Sequence, residues 1–206
     1  MQIAEPTTMI TDYVLAACCI YFGLAVLRPA LRQGAKARVY WGVSFLIAGF
    51  STFVGGSMHG FRPMLDMSIV VTLWMITLYG SGLASLTFLV AAAQPLQGAF
   101  RKAAIAFALV KFPVYAVAVT IDDNFLFAIA DYGSAMLLIL AIHATLYLRH
   151  QRSDSKFIAA GVIVSFIAAG IQTTGITVNE YLNYNDIYHV VQIAGMYLFY
   201  RGARLS

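Results

Sequence analysis

Seven stretches of almost unbroken apolar sequence, parted only by short polar breaks, constrain this chain more than any other feature in it. They run over about 10–27, 39–60, 66–94, 103–120, 124–148, 157–177 and 185–200, with boundaries good to about four residues. The breaks are RPALRQGAKAR, GFRPML, QPLQGAFRK, IDDN, RHQRSDSK and NEYLNYN. A helix needs roughly 20 apolar residues to cross the hydrocarbon of a bilayer. Inside lipid a spanning segment must satisfy its own backbone hydrogen bonds, which a helix does. Apolarity all round, in place of a one-sided stripe, marks such helices. The chain has 206 residues, of which 61% are hydrophobic and 11% charged, a balance that no soluble core of this size requires. The expectation is an all-α, multi-pass bundle of seven transmembrane helices forming one domain over 1–206, with no extramembrane catalytic domain.

Charge sorting gives the same count independently, because Lys and Arg gather in short cytoplasmic loops. With the amino terminus outside and the carboxyl terminus cytoplasmic, the inner segments receive Arg28, Arg32, Lys36, Arg38, Arg101, Lys102, Arg149, Arg152, Lys156, Arg201 and Arg204, which is 11 of the 13 basic residues. Only Arg62 and Lys111 remain. Of the nine acids, only Asp154 falls in an inner loop. The net charge of +4 therefore reflects orientation toward an anionic inner leaflet, and no nucleic-acid partner is needed to explain it.

The first apolar stretch contains LAAC at Leu15 to Cys18, a small-residue pattern that can precede a lipidated cysteine. Glu5 and Asp12 stand where a signal peptide carries basic residues, so a retained first helix is expected. Cys18 and Cys19 are neighbours in an apolar helix and read as small apolar residues.

Polar side chains are costly in a bilayer, so their positions carry information. Ser57 and His59 lie near the outer end of helix 2, Asp66 at the start of helix 3, Gln172, Thr173 and Thr174 at the end of helix 6, and Asn185, Asp186, His189 and Gln192 at the start of helix 7. Asp186, His189 and Gln192 or Ile193 share one face of helix 7, and Asn185 or Asp186 is placed to cap it. Thr52, Gly55, Gly56 and His59 form a small-residue strip on helix 2 that turns His59 inward. Two histidines and a carboxylate can hold Zn²⁺ with one position open for water. The candidate ligands are His59, His189 and either Asp66 or Asp186. The alternative is that each imidazole merely hydrogen-bonds at the interface.

Lys111 and Asp131 both fall well inside apolar stretches. The IDDN connection makes helices 4 and 5 antiparallel neighbours, and counting outward puts the two residues about 4.5 Å apart in depth. An intramembrane ion pair is expected, since either charge alone is costly there. Pro113 beside the lysine would free a backbone carbonyl, the feature a translocation route would use. Helix 7 has no lysine, so a retinal-binding pattern is absent. Gly80, Ser81, Gly82 and Ser85, with Gly161, Ser165 and Gly170, read as close helix contacts. Tyr40, Trp41, Tyr147, Phe199 and Tyr200 read as an inner aromatic belt and Tyr181, Tyr184 and Tyr188 as an outer one.

The placement of Ser57, His59, Asp66 and His189 resembles the CREST superfamily of seven-helix membrane hydrolases, which includes alkaline ceramidases and adiponectin-receptor-like proteins. That resemblance implies a zinc site with His59 and His189 as ligands and with Asp66 and Ser57 around the metal-bound water. Here Ser57 and His59 are two residues apart instead of one turn apart, and Gln192 and Ile193 stand near the place of a second helix-7 histidine. The run NDIYHVVQIAGMYLFYRGARL, with IADYGSAML in helix 5, is also similar to a family of small, uncharacterised bacterial membrane proteins, which implies a bacterial inner membrane.

Two functions follow as expectations. One is a zinc-dependent hydrolase of lipid amides or esters, with Asp66 as general base and Ser57 or Gln192 steadying the oxyanion. The other is a non-enzymatic membrane subunit or a binder of a small molecule or ion, surrounded by lipid and open to a protein partner in the membrane.

Overall fold

The computed structural model describes residues 3–175, 177–179 and 182–206. Glu180 and Tyr181, counted above toward the outer face, lie outside the described residues. Seven helices carry almost all of the rest: α1 Pro6–Gln33, α2 Lys36–Phe61, α3 Met67–Ala92, α4 Gly98–Ile121, α5 Leu126–His150, α6 Ser153–Thr174 and α7 Tyr184–Leu205. A single 3-10 turn, Arg62–Met64, joins α2 to α3.

Each expected segment holds one helix, and most run a few residues past the apolar limits. Charged ends cost a helix nothing in water, so the helix stops where the backbone does. At the end of α1 that is Gly34, whose φ of 65° is a left-handed conformation open to glycine. Links of two to five residues from α1 to α6 cannot cover the roughly 33 Å or more that a helix of this length spans, so successive helices there reverse direction. Across the longer α6–α7 link, Gln172 Nε2 donates to Asn185 Oδ1 at 3.2 Å, which puts the end of α6 beside the start of α7.

Helices α1 to α6 are long and apolar enough to cross a membrane, as in a multi-pass membrane protein. Helix α7 has 22 residues but carries Asp186, His189 and Gln192, all buried against its neighbours. Its polarity faces the bundle, which lowers its overall apolarity without exposing a polar face. Outside, Phe50, Phe53, Val110, Val114, Val117 and Ile121 stand exposed, as lipid-facing side chains do.

The packing order is not the chain order. Helices α1, α2, α3, α5, α6 and α7 pack successively in a ring that closes α7 onto α1, while α4 lies outside it against α3 and α5. Two ring contacts depend on glycine. On α2, Gly42, Gly49 and Gly56 recur every seven residues, and a Cβ on them would fall 2.7 Å from Leu27 Cβ, 3.0 Å from the Ala16 carbonyl and 2.6 Å from Asp12 Cβ, all on α1. On α7, a Cβ on Gly195 would lie 2.9 Å from Ser165 Oγ, and one on Gly202 2.9 Å from the Asp154 carbonyl. Small residues let the backbones approach, the usual basis of helix association in membranes.

At the end of the ring nearest the α1–α2 link, the interior is filled by aromatic side chains. Trp41 and Phe199 stack at 6.0 Å between centroids, and Phe45 meets Phe88 edge-on at 5.5 Å. Trp41 and Phe199 are thus core residues, not the interfacial anchors expected of them; their helices turn these side chains inward, where aromatic area packs best.

Candidate functional site

The start of α7 is fixed by a reciprocal cap. Asn183 Oδ1 accepts from the amides of Asn185 and Asp186, and Asp186 Oδ2 accepts from the Asn183 amide at 2.8 Å. The cap is therefore Asn183, not Asn185 or Asp186, and Asp186 is the acidic member of the box. This fixes the rotation of α7, so that Asp186, His189 and Gln192 all point inward with exposures of 0%, 7% and 3%.

There they meet α1. His189 Nε2 lies 3.1 Å from Asp12 Oδ1, and His189 Nδ1 lies 2.9 Å from Thr11 Oγ1. Thr11 Oγ1 is also 3.0 Å from the Thr8 carbonyl and 3.5 Å from Asp186 Oδ1. Asn183 Nδ2 donates to Thr8 Oγ1 at 3.2 Å. Asp12 is 5% exposed because Gly56 brings α2 directly against it. The imidazole thus has a partner on each nitrogen and serves as a polar seam between α1 and α7.

The other residues expected around a metal bond to different partners. His59 Nδ1 pairs with Glu5 Oε2 at 3.1 Å in a partly exposed contact. Ser57 Oγ lies 2.9 Å from Tyr13 Oη and donates to the Phe53 carbonyl. Asp66 is exposed at the start of α3. Gln192 Nε2 donates to Ser165 Oγ at 3.1 Å. Among the described residues, no group of three or more His, Cys, Asp or Glu side chains is arranged to hold a metal ion. The expected zinc set of His59, His189 and Asp66 or Asp186 is not gathered, and the residues present do not fit the ion. The physical reason is that each imidazole takes a nearer carboxylate from α1 or the segment before it.

Lys111 Nζ donates to Asp131 Oδ1 at 2.5 Å, to Ser85 Oγ at 2.8 Å and to the Asp131 carbonyl at 2.8 Å. An ammonium has three protons, and all three are used. This contact ties α4 into the groove between α3 and α5.

Between the six ring helices, and without α4, lies a cavity of about 210 Å³. One wall is Phe125, the residue before α5, with Ala128, Ile129, Tyr132, Gly133 and Met136 of α5, the spacing of one helical face. No Lys, Arg, Asp, Glu or His lines it. The Tyr132 hydroxyl is enclosed and has no hydrogen-bond partner among the described residues. A Cβ placed on Gly133 would meet nothing within 4 Å.

Sequence reasoning reaches His189 and Gln192 but not Asp12, Thr11, Tyr132 or Gly133. For Asp12 the signal is present: it lies six residues into α1, and His189 lies five residues into α7 from the same end, so the two sit at one depth at about 1.5 Å per residue. Tyr132 and Gly133 stand in the IADYGSAML run with no spacing to set them apart.

No curated protein and no solved structure matches the chain. Its membership is shown by a match that runs from the first helix to the last residue. The chain belongs, over residues 7–206, to a family of unknown function, DUF6962.

Proposed function

We propose that this chain is a seven-span protein of a bacterial inner membrane, with its amino end outside and its carboxyl end in the cytoplasm, that binds a small molecule between its six ring helices without transforming it. The orientation rests on the end of the bundle that collects the basic residues, as cytoplasmic loops do. The binding role rests on one observation, a chamber of about 210 Å³ walled by six helices and lined by no Lys, Arg, Asp, Glu or His, with open space at Gly133. A glycine in mid-helix costs roughly 0.5–1 kcal/mol relative to alanine, and at Gly133 no close packing requires it. That cost falls on the chamber wall, and a ligand filling the chamber accounts for it. The hydrolase alternative lacks the gathered ligands on which its chemistry depends.

Native mass spectrometry of the full chain in mild detergent tests this reading. The expected result is a small molecule retained by the unsubstituted protein and lost from Gly133→Leu, whose added side chain enters the cavity without meeting backbone. Equal retention by both would reject it. Stoichiometric zinc in the purified protein, lost on His189→Ala, would restore the hydrolase reading.

A further inference from the structure

We infer that the ligand of this cavity is a neutral, single-ring molecule that donates a hydrogen bond, from a hydroxyl or an N–H, to Gln192 Oε1. The inference rests on the reading of the cavity as a binding site and adds the chemical class.

Gln192 lines the chamber eight residues, or about 12 Å, below the start of α7. Its Nε2 donates to Ser165 Oγ at 3.1 Å, and its Oε1 accepts from no group among the described residues. That oxygen is not one of the atoms sealed off by protein, as the Tyr132 hydroxyl is. In a side chain that is 3% exposed and forms part of the wall, the open side of the oxygen is the chamber. Gln172, near the end of α6, repeats the pattern: its Nε2 donates to Asn185 Oδ1 at 3.2 Å, and its Oε1 has no donor among the described residues. Thr52 and Tyr188 also bring to the wall hydroxyls without a hydrogen-bond partner among the described residues. A hydroxyl gives a proton or takes one, so these two fit a ligand oxygen with or without a proton. An amide oxygen only accepts, so the two carboxamides decide the matter and the ligand has to bring the proton. With no Lys, Arg, Asp, Glu or His on the walls, a charged ligand would have nothing to pair with. An apolar cavity of about 150 Å³ accommodates benzene. At about 210 Å³ this one accommodates a ring with a few further heavy atoms.

Three probes of similar size isolate the proton: phenol, which donates; anisole, which carries the same oxygen without a proton; and toluene, which carries neither. Binding is measured by calorimetric titration of the full chain in detergent. Phenol is expected to bind the unsubstituted protein about five- to tenfold more tightly than anisole, the worth of one net hydrogen bond. Gln192→Met keeps the reach of the side chain and removes the acceptor. It is expected to abolish the preference for phenol while leaving toluene affinity unchanged, which also shows that the variant is folded. Equal affinity for phenol and anisole in the unsubstituted protein, a comparison that needs no variant, overturns the ligand class while the cavity reading stands. A preference for phenol that survives in Gln192→Met does the same. Binding of none of the three to the unsubstituted protein, or of all three to Gly133→Leu just as tightly, overturns the cavity reading itself.

Discussion

At the scale of single residues, the polar seam between α1 and α7 is a matter of hydrogen-bond supply. Asp12 offers an acceptor to His189 Nε2 at 3.1 Å, and nothing else in contact replaces it. Asp12→Asn keeps an oxygen at that place, whereas Asp12→Leu leaves a buried ring nitrogen unsatisfied. Thermal unfolding in detergent should therefore show Asp12→Leu destabilised by about 1–3 kcal/mol and Asp12→Asn by clearly less. Equal losses in the two would make the contact one of shape alone. His189 and Gln192 were legible because helical spacing puts them on one face of a short polar segment. Asp12 was obscured by its setting, a single acid in an otherwise apolar run whose partner stands 177 positions away in the chain. Tyr132 was illegible for a different reason: a tyrosine in an apolar helix is equally at home against lipid or against a cavity, and only the packing decides.

At the scale of elements, the informative case is α4, which meets the ring along α3 and α5 and is fastened by the Lys111 ammonium together with Tyr115 Oη donating to the Leu78 carbonyl at 2.8 Å and the Tyr79–Thr120 hydroxyl pair at 2.7 Å. The side chains of Lys111 and Asp131 are 11% and 4% exposed. Removing one partner leaves the other charge buried and alone, which costs about 3–5 kcal/mol, whereas replacing both with apolar side chains is often neutral or better. Lys111→Met alone should lower the unfolding midpoint sharply, and Lys111→Met with Asp131→Leu should recover most of the loss. Additive losses would mean that the charges are engaged in something beyond holding α4. This pairing was readable from the sequence because one short connection fixes the relative depth of two helices. The glycine seam of Gly42, Gly49 and Gly56 was readable only in its outer part, since a seven-residue repeat shows its meaning once the facing helix is known.

At the scale of the whole molecule, the number of helices came directly from the apolar runs, because crossing lipid imposes a length that sequence displays. The ring order did not, since a helix that is apolar all round gives no sign of which side meets protein and which meets lipid. Orientation is open to direct measurement. In spheroplasts, a cysteine at Asp123→Cys should react with a membrane-impermeant maleimide and one at Arg149→Cys should be protected; both positions are exposed and lie at opposite ends of the bundle. The reverse pattern would invert the proposed topology.

The place of α4 also settles how the two halves of the molecule relate. Because α4 carries the chain back before α5 begins, α1, α2 and α3 run in the same three directions as α5, α6 and α7, and the two main contacts between the halves, α3 with α5 and α1 with α7, join helices that point the same way. Joined head to tail without that return stroke, the second triplet would lie upside down, with the positive charge of its links at the wrong rim. The helix that contributes nothing to the chamber is thus what sets the polarity of everything downstream of it, and it makes the total odd, so the two ends of the polypeptide emerge at opposite rims.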